Sequence, residues 1–119
     1  VLVLHSPAGV SARKVAVVGL GPAGATTKQT AFRAAASASQ VLSRKKHSET
    51  AWFLADDWSD ELAEQGVAGA IFGCYGQDLY RAEKKRHPFG QLLWAGGSHE
   101  AVEQGKIVGE CLILARRLV

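Results

Sequence analysis

The sequence predicts an α/β layered fold with a mixed, largely parallel sheet flanked by helices. Three observations carry this. Short apolar runs alternate with longer helical patterns, in the order strand, strand, helix, strand, helix, strand, helix. The apolar run from Val15 stops abruptly in Gly19-Leu20-Gly21-Pro22-Ala23-Gly24, as a buried strand does when it enters a turn. Each helical pattern opens on a residue able to cap it.

Taken in order, Val1 to His5 reads as a short strand, and Ser6-Pro7-Ala8-Gly9 as turn chemistry. Arg13 to Val18 is the second strand, antiparallel to the first because the link is short. It is expected to lie centrally, buried on both faces. The first helix is predicted from Lys28 to Arg44, with Thr26 or Thr27 as its cap and alanine as its main constituent. Phe32, Ala35, Ala36, Ser39 and Leu42 share one face and are expected against the sheet. Arg44-Lys45-Lys46-His47 would then complement the helix dipole. Glu49 to Ala55 holds a buried strand, Ala51-Trp52-Phe53-Leu54-Ala55. Asp57 or Ser59 caps a helix predicted from Ser59 to Arg81, with Asp60, Glu61 and Glu64 early in it. Its Gly66, Gly69, Gly73 and Gly76 form a stripe at helical spacing. Each glycine costs about 1 kcal/mol relative to alanine, so close packing must offset them. The expected use is tight contact with a sheet or another helix; a ligand lining is the alternative. Pro88 ends any helix before it, Gln91 to Ala95 is the last strand, and Ser98 caps the last helix.

A chain of 119 residues suits one domain with a real core. The apolar fraction of 47% and charged fraction of 21% are those of ordinary globular proteins. A net charge of +3 does not by itself imply a nucleic-acid partner. Cys74 and Cys111 stand far apart, with no disulfide framework or zinc spacing, so a reducing, cytoplasmic compartment is expected. No apolar run approaches the ~18 residues of a membrane span, and Val1 to Leu4 is too short for a signal peptide. There is no methionine, and the last residues form an apolar helical pattern without a glycine cap or polar tail. Both ends are therefore expected to be cuts in a longer polypeptide.

Gly19, Gly21 and Gly24 spell G-x-G-x-x-G after a strand, the dinucleotide-binding fingerprint. A working site also needs an acidic residue about 20 positions on, at the end of the next strand. Arg44 stands there instead, and the next strand ends only near Asp56. The helix also starts several residues late. A tight strand-to-loop turn is the favoured reading, and a nucleotide- or flavin-binding domain using Gly19–Gly24 is the alternative.

No catalytic, cofactor-binding or metal-binding residue is assigned. His5, His47, His87 and His99 are scattered without metal-ligand spacing. No serine has a nucleophile-elbow context, and neither cysteine has a histidine nearby in sequence. Asp56, Asp57, Asp60 and Glu61 cluster, and a helix start explains them. Asp78 between Tyr75 and Tyr80 is one carboxylate near two phenols, which makes no site. The runs Arg44 to Lys46 and Lys84 to Arg86 suit phosphates, yet no aromatic residues interleave them.

Several segments together resemble the N-terminal domain of the leucyl (cytosol) aminopeptidases. The family has a strand ending in V-G-L-G after a basic pair, as Arg13-Lys14-Val15-Ala16-Val17-Val18-Gly19-Leu20-Gly21 does. Phe32-Arg33-Ala34-Ala35-Ala36 is similar to its R-x-A-A-like run. Phe72-Gly73-Cys74-Tyr75-Gly76-Gln77-Asp78-Leu79-Tyr80-Arg81 is similar to L-G-x-Y-x-x-D-x-Y-K. Gly109-Glu110-Cys111-Leu112-Ile113-Leu114-Ala115-Arg116-Arg117-Leu118-Val119 resembles its link toward the catalytic domain. Cys111, Arg117 and Arg81 depart from the family's glycine, aspartate and lysine, which marks a divergent relative.

The resemblance implies a macro-domain-like fold, with residues 1–119 as a single non-catalytic N-terminal fragment, structural or regulatory in role. It implies a parent that removes N-terminal residues from peptides by a metal-activated water. It also implies two divalent metal ions, Mn or Zn, in a catalytic domain absent here, whose N-T-D-A-E-G-R signature the sequence lacks. The parent is expected to be a metalloaminopeptidase and a cytoplasmic homo-hexamer; this chain alone is not expected to be an enzyme. Some bacterial members bind DNA, which gives the two basic runs a conditional role as a DNA-contacting module.

Overall fold

In the computed structural model, described for residues 2–6, 8–9, 11–22, 24–54, 58–74, 87 and 89–118, two strand pairs accompany three helices. β1 (Leu2–His5) and β2 (Lys14–Val17) run antiparallel, with Leu2 opposite Val17 and His5 opposite Lys14. The Ser6 amide donates to the Arg13 carbonyl at 2.6 Å and closes the link between them. β3 (Glu49–Phe53) and β4 (Gln91–Ala95) run parallel, with Trp52 opposite Trp94. The Leu54 amide extends this ladder to the Ala95 carbonyl at 2.8 Å. Parallel strands need a crossover, and α2 (Asp60–Gly73) lies within it. This is the α/β class expected, with a small parallel sheet.

Among the described residues the two ladders are not joined, so β2 pairs with β1 alone. The side chains of β2 are half-covered or exposed. The run from Val15 is therefore not the doubly buried central strand that its composition suggests.

The helix starts follow the sequence. The Thr27 hydroxyl accepts from the Thr30 amide at 3.2 Å and opens α1 (Lys28–Leu42). Ser59 accepts from the Leu62 amide at 3.4 Å ahead of α2. Ser98 accepts from the Ala101 amide at 3.1 Å and opens α3 (His99–Arg117). Each cap satisfies a backbone donor that the helix itself leaves open.

The helix ends depart from it. α1 stops at Leu42, so Arg44, Lys45 and Lys46 lie in the following turn and not in the last helical turn. The chain turns there instead: the Lys45 amide donates back to the Leu42 carbonyl at 3.4 Å, and the Ser43 carbonyl accepts from the distant His87 amide at 2.7 Å. α2 ends at Gly73 with Cys74 as its cap. The predicted continuation to Arg81, with Gly76, Asp78, Tyr75 and Tyr80, lies outside the described residues, as do Asp56, Asp57 and Lys84 to Arg86.

α2 is the centre of the molecule. Ala63, Gly66, Val67, Ala68, Gly69, Ala70 and Gly73 are all buried, so the helix is covered nearly all round. One face of β3–β4, carrying Thr50, Trp52, Leu92 and Trp94, is half-buried. The rings of Trp52 and Trp94 lie 5.8 Å apart, and Phe89 lies 6.3 Å from Trp52. Leu54, just beyond β3, borders Gly66 of α2. The opposite face carries Ala51, Phe53, Leu93 and Ala95, all exposed, with Phe53 at 84%. The apolar run is thus covered on one side only at 51–53, and Ala55 lies outside the described residues. Among the described residues no helix is long and apolar enough to cross a membrane.

Candidate functional site

The most specific geometry in the molecule is where its helices meet. A Cβ added to Gly69 would fall on the carbonyl oxygen of Phe32 in α1. One added to Gly73 would stand 2.5 Å from the Ala36 carbonyl oxygen and 2.8 Å from Ser39 Cβ. α3 uses its own glycines: a Cβ at Gly105 would lie 2.6 Å from Val67 Cβ, and one at Gly109 3.0 Å from Ile71 Cβ. Gly69 and Gly73 of the α2 stripe therefore serve close helix packing, the first of the two uses its spacing allows, while Gly66 lies against the Trp58 ring. The face of α1 that carries Ala36 and Ser39 meets α2, not the sheet.

Polar and aromatic contacts fix the same interface. Ser39, fully buried, donates from Oγ to the Ala70 carbonyl at 2.6 Å. Cys74 Sγ donates to that same oxygen at 3.3 Å. The rings of Phe32 and Phe72 lie 5.9 Å apart, and the Arg116 guanidinium sits 5.2 Å over Phe72, joining α3 to the pair. Lys28 and Glu61 form an ion pair at 3.2 Å between the starts of α1 and α2. Both side chains are well exposed, so it adds little stability.

The loop at Gly19–Gly24 has a backbone reason for its glycines. Gly21 and Gly24 adopt φ of 82° and 77°, the left-handed region where side chains are strained. A Cβ at Gly19, Gly21 or Gly24 would meet nothing within 4 Å, so none allows the close helix packing for which the fingerprint uses its third glycine. α1 starts at Lys28, and its first turn is capped by Thr27.

The remaining candidates do not converge. Among the described residues no three His, Cys, Asp or Glu side chains group as a metal ion would require, so these residues do not fit a metal. His47 is half-buried, with Nε2 lacking a hydrogen-bond partner among the described residues. Burial first, then the charge of Lys14, lowers its pKa below the ordinary 6.5; a hydrogen bond to the Leu42 backbone opposes the shift and Lys45 adds to it. His5 and His99 are exposed. Ser43 Oγ donates to the Gln40 carbonyl at 3.4 Å, and Ser59 and Ser98 are caps. Asp60 and Glu61 occupy the first turn of α2, as a helix start explains. Sequence reasoning missed Gly105 and Gly109, whose spacing of four was the available signal.

Residues 1–84 match the model for the cytosol aminopeptidase family, N-terminal domain. The chain belongs to the cytosol aminopeptidase family. A probable cytosol aminopeptidase of Rhodopirellula baltica is 30% identical over 105 residues, which are 88% of this chain and 21% of that protein. One from Aquifex aeolicus is 32% identical over 115 residues, 93% of this chain and 23% of that protein. Among solved structures, the bottromycin maturation enzyme BotP in complex with Mn superposes with a TM-score of 0.75 at 30% identity. That match covers 97% of this chain and 25% of BotP. The chain thus spans about a quarter of the length of the cytosol aminopeptidases it matches, and residues 1–84 are their N-terminal-domain sequence.

Proposed function

We propose that residues 1–119 form a non-catalytic scaffold within a two-metal aminopeptidase whose longer polypeptide removes N-terminal residues from peptides. The observation that carries the reading is the coverage: nearly all of this chain aligns with about a quarter of proteins named cytosol aminopeptidases. The interlocked helices agree with it, because their small residues are committed to packing. The metal ions, Mn or Zn, are held by residues outside this chain; Mn in BotP supports a divalent metal. The reading extends to a cytoplasmic homo-hexamer in which this domain holds the catalytic part in place.

The experiment is an assay of the longer polypeptide with leucine p-nitroanilide. Hydrolysis that a chelator abolishes and manganese restores is expected. A longer polypeptide that cleaves no aminoacyl substrate with any divalent metal would refute the proposal.

A further inference from the structure

The parallel ladder begins where two distant stretches are fastened together. His47 and Ser48 lead into β3, and Phe89 and Gly90 lead into β4. The Gly90 amide donates to the His47 carbonyl at 3.3 Å, just ahead of the first pair, Glu49 with Gln91. The His87 amide donates to the Ser43 carbonyl at 2.7 Å. A Cβ added to Gly90 would stand 2.6 Å from the Ser48 carbonyl oxygen, so the two backbones touch. The His47 ring lies 6.3 Å from Phe89, and Phe89 lies 6.3 Å from Trp52.

This corner suits His47 only in its neutral form. The ring donates to the Leu42 backbone, and Nε2, buried, has no hydrogen-bond partner among the described residues. The proton of the neutral imidazole therefore belongs on Nδ1, and Nε2 is a bare acceptor. A second proton would turn Nε2 into a buried, charged donor with nothing to accept from it, the costliest kind of orphan. The charged groups that face the ring are Lys14 on β2 and Lys45 in the turn after α1, both cations. Among the described residues no carboxylate faces it, and Phe89 brings no charge from the β4 side. The three helices are held differently, by glycines set against carbonyls and carbon that no proton alters.

We propose that His47 is an acid-sensitive latch on the start of the parallel ladder. Protonation of its ring releases His87 and Gly90 from Ser43 and His47, frees the first residues of β4 and bares Trp52. The packed helices stay closed. The latch is independent of the proposed function.

Hydrogen exchange of the longer polypeptide tests this, followed by peptide mass spectrometry and corrected for the intrinsic rate at each pH. Protection of the peptide that carries the Phe89, Gly90 and Gln91 amides is expected to fall about fivefold between about pH 7.5 and about pH 5. Peptides from α2 should keep their protection. His47→Gln should remove the fall, and His87→Gln, which changes the other titratable side chain of the corner, should keep it. If His47→Gln leaves the corner open at both pH values, Lys14→Met decides. It removes a charge that opposes protonation of the closed form, so the fall should shrink; an undiminished fall there overturns the proposal. Unchanged protection in the unsubstituted polypeptide overturns it too, as does a fall that survives His47→Gln. An equal loss in α2 would mean that the whole fold opens, and would overturn it as well.

Discussion

Gly73 of α2 lies so close to Ala36 of α1 that a methyl group on it would stand 2.5 Å from the Ala36 carbonyl oxygen. The obstacle is backbone, which cannot rotate aside as a side chain does. Gly73→Ala gains about 1 kcal/mol of helix propensity but forces the helices apart, at about 1–3 kcal/mol for overpacking. The net effect expected is destabilisation, seen as a lower urea midpoint. Gly69→Ala, against the Phe32 backbone, should behave alike. An unchanged or raised midpoint would show that α1 and α2 are not interlocked.

Ser39 and Ala70 supply the polar counterpart. Ser39→Ala removes a buried hydroxyl and its bond to the Ala70 carbonyl. A loss of about 0.5–1.5 kcal/mol is expected. The Cys74 thiol still reaches the same oxygen, which keeps the acceptor from being orphaned. A loss well above that range in chemical unfolding would mean that Ser39 does more than bond to Ala70.

His47 gives the fold a pH dependence of known sign. Its pKa is lowered in the folded chain by burial first and by Lys14 second. The unfolded state therefore binds the proton more readily, and stability rises with increasing pH wherever it does so. The contribution of His47 is full above the ordinary value of 6.5 and is lost as pH falls through that value toward the lowered one. Unfolding measured from about pH 8 to about pH 5 should show this loss in the natural chain and less of it in His47→Asn. Lys14→Met should reduce the slope only partly, because burial is the larger cause. Equal slopes in all three would remove His47 from the explanation.

The two faces of β3–β4 should respond oppositely. Phe53 is 84% exposed, so Phe53→Ser is expected to change stability by no more than about 0.5 kcal/mol. Trp52 meets Trp94, Phe89 and the Thr50 hydroxyl. Trp52→Ala should cost about 3 kcal/mol, the low end for an aromatic truncation, because the ring is half-buried. Thermal melts of the two variants check the pair, and equal shifts would contradict the assignment of faces.

Much of this was legible in the residues. Thr27, Ser59 and Ser98 are caps because a short side-chain oxygen before a helical pattern has one obvious use. The stripe Gly66, Gly69, Gly73 announced close packing because glycine in a helix is costly without it. The antiparallel sense of β1 and β2 followed from their short link, and the ordered motifs identified the family. What failed was whatever depends on a partner distant in sequence. Ala51 to Ala55 reads as a buried strand, but apolarity does not say which face this chain covers. Arg44 looked helical because propensity does not show that the chain turns at Ser43 and is bonded there to His87. The last helix read as one apolar pattern, and only its packing separated Ile113 on one side from Leu114 on the other. The glycine loop carries the letters of a nucleotide motif, and positive φ gives a backbone reason for two of its three glycines, Gly21 and Gly24.

The most direct measurement is hydrolysis of leucine p-nitroanilide by the 119-residue chain alone, with manganese added. No release of p-nitroaniline above the rate with metal alone is expected, because the proposed function makes these residues a framework and puts the reacting groups elsewhere in the polypeptide. Metal-dependent turnover by this chain would contradict that division of roles.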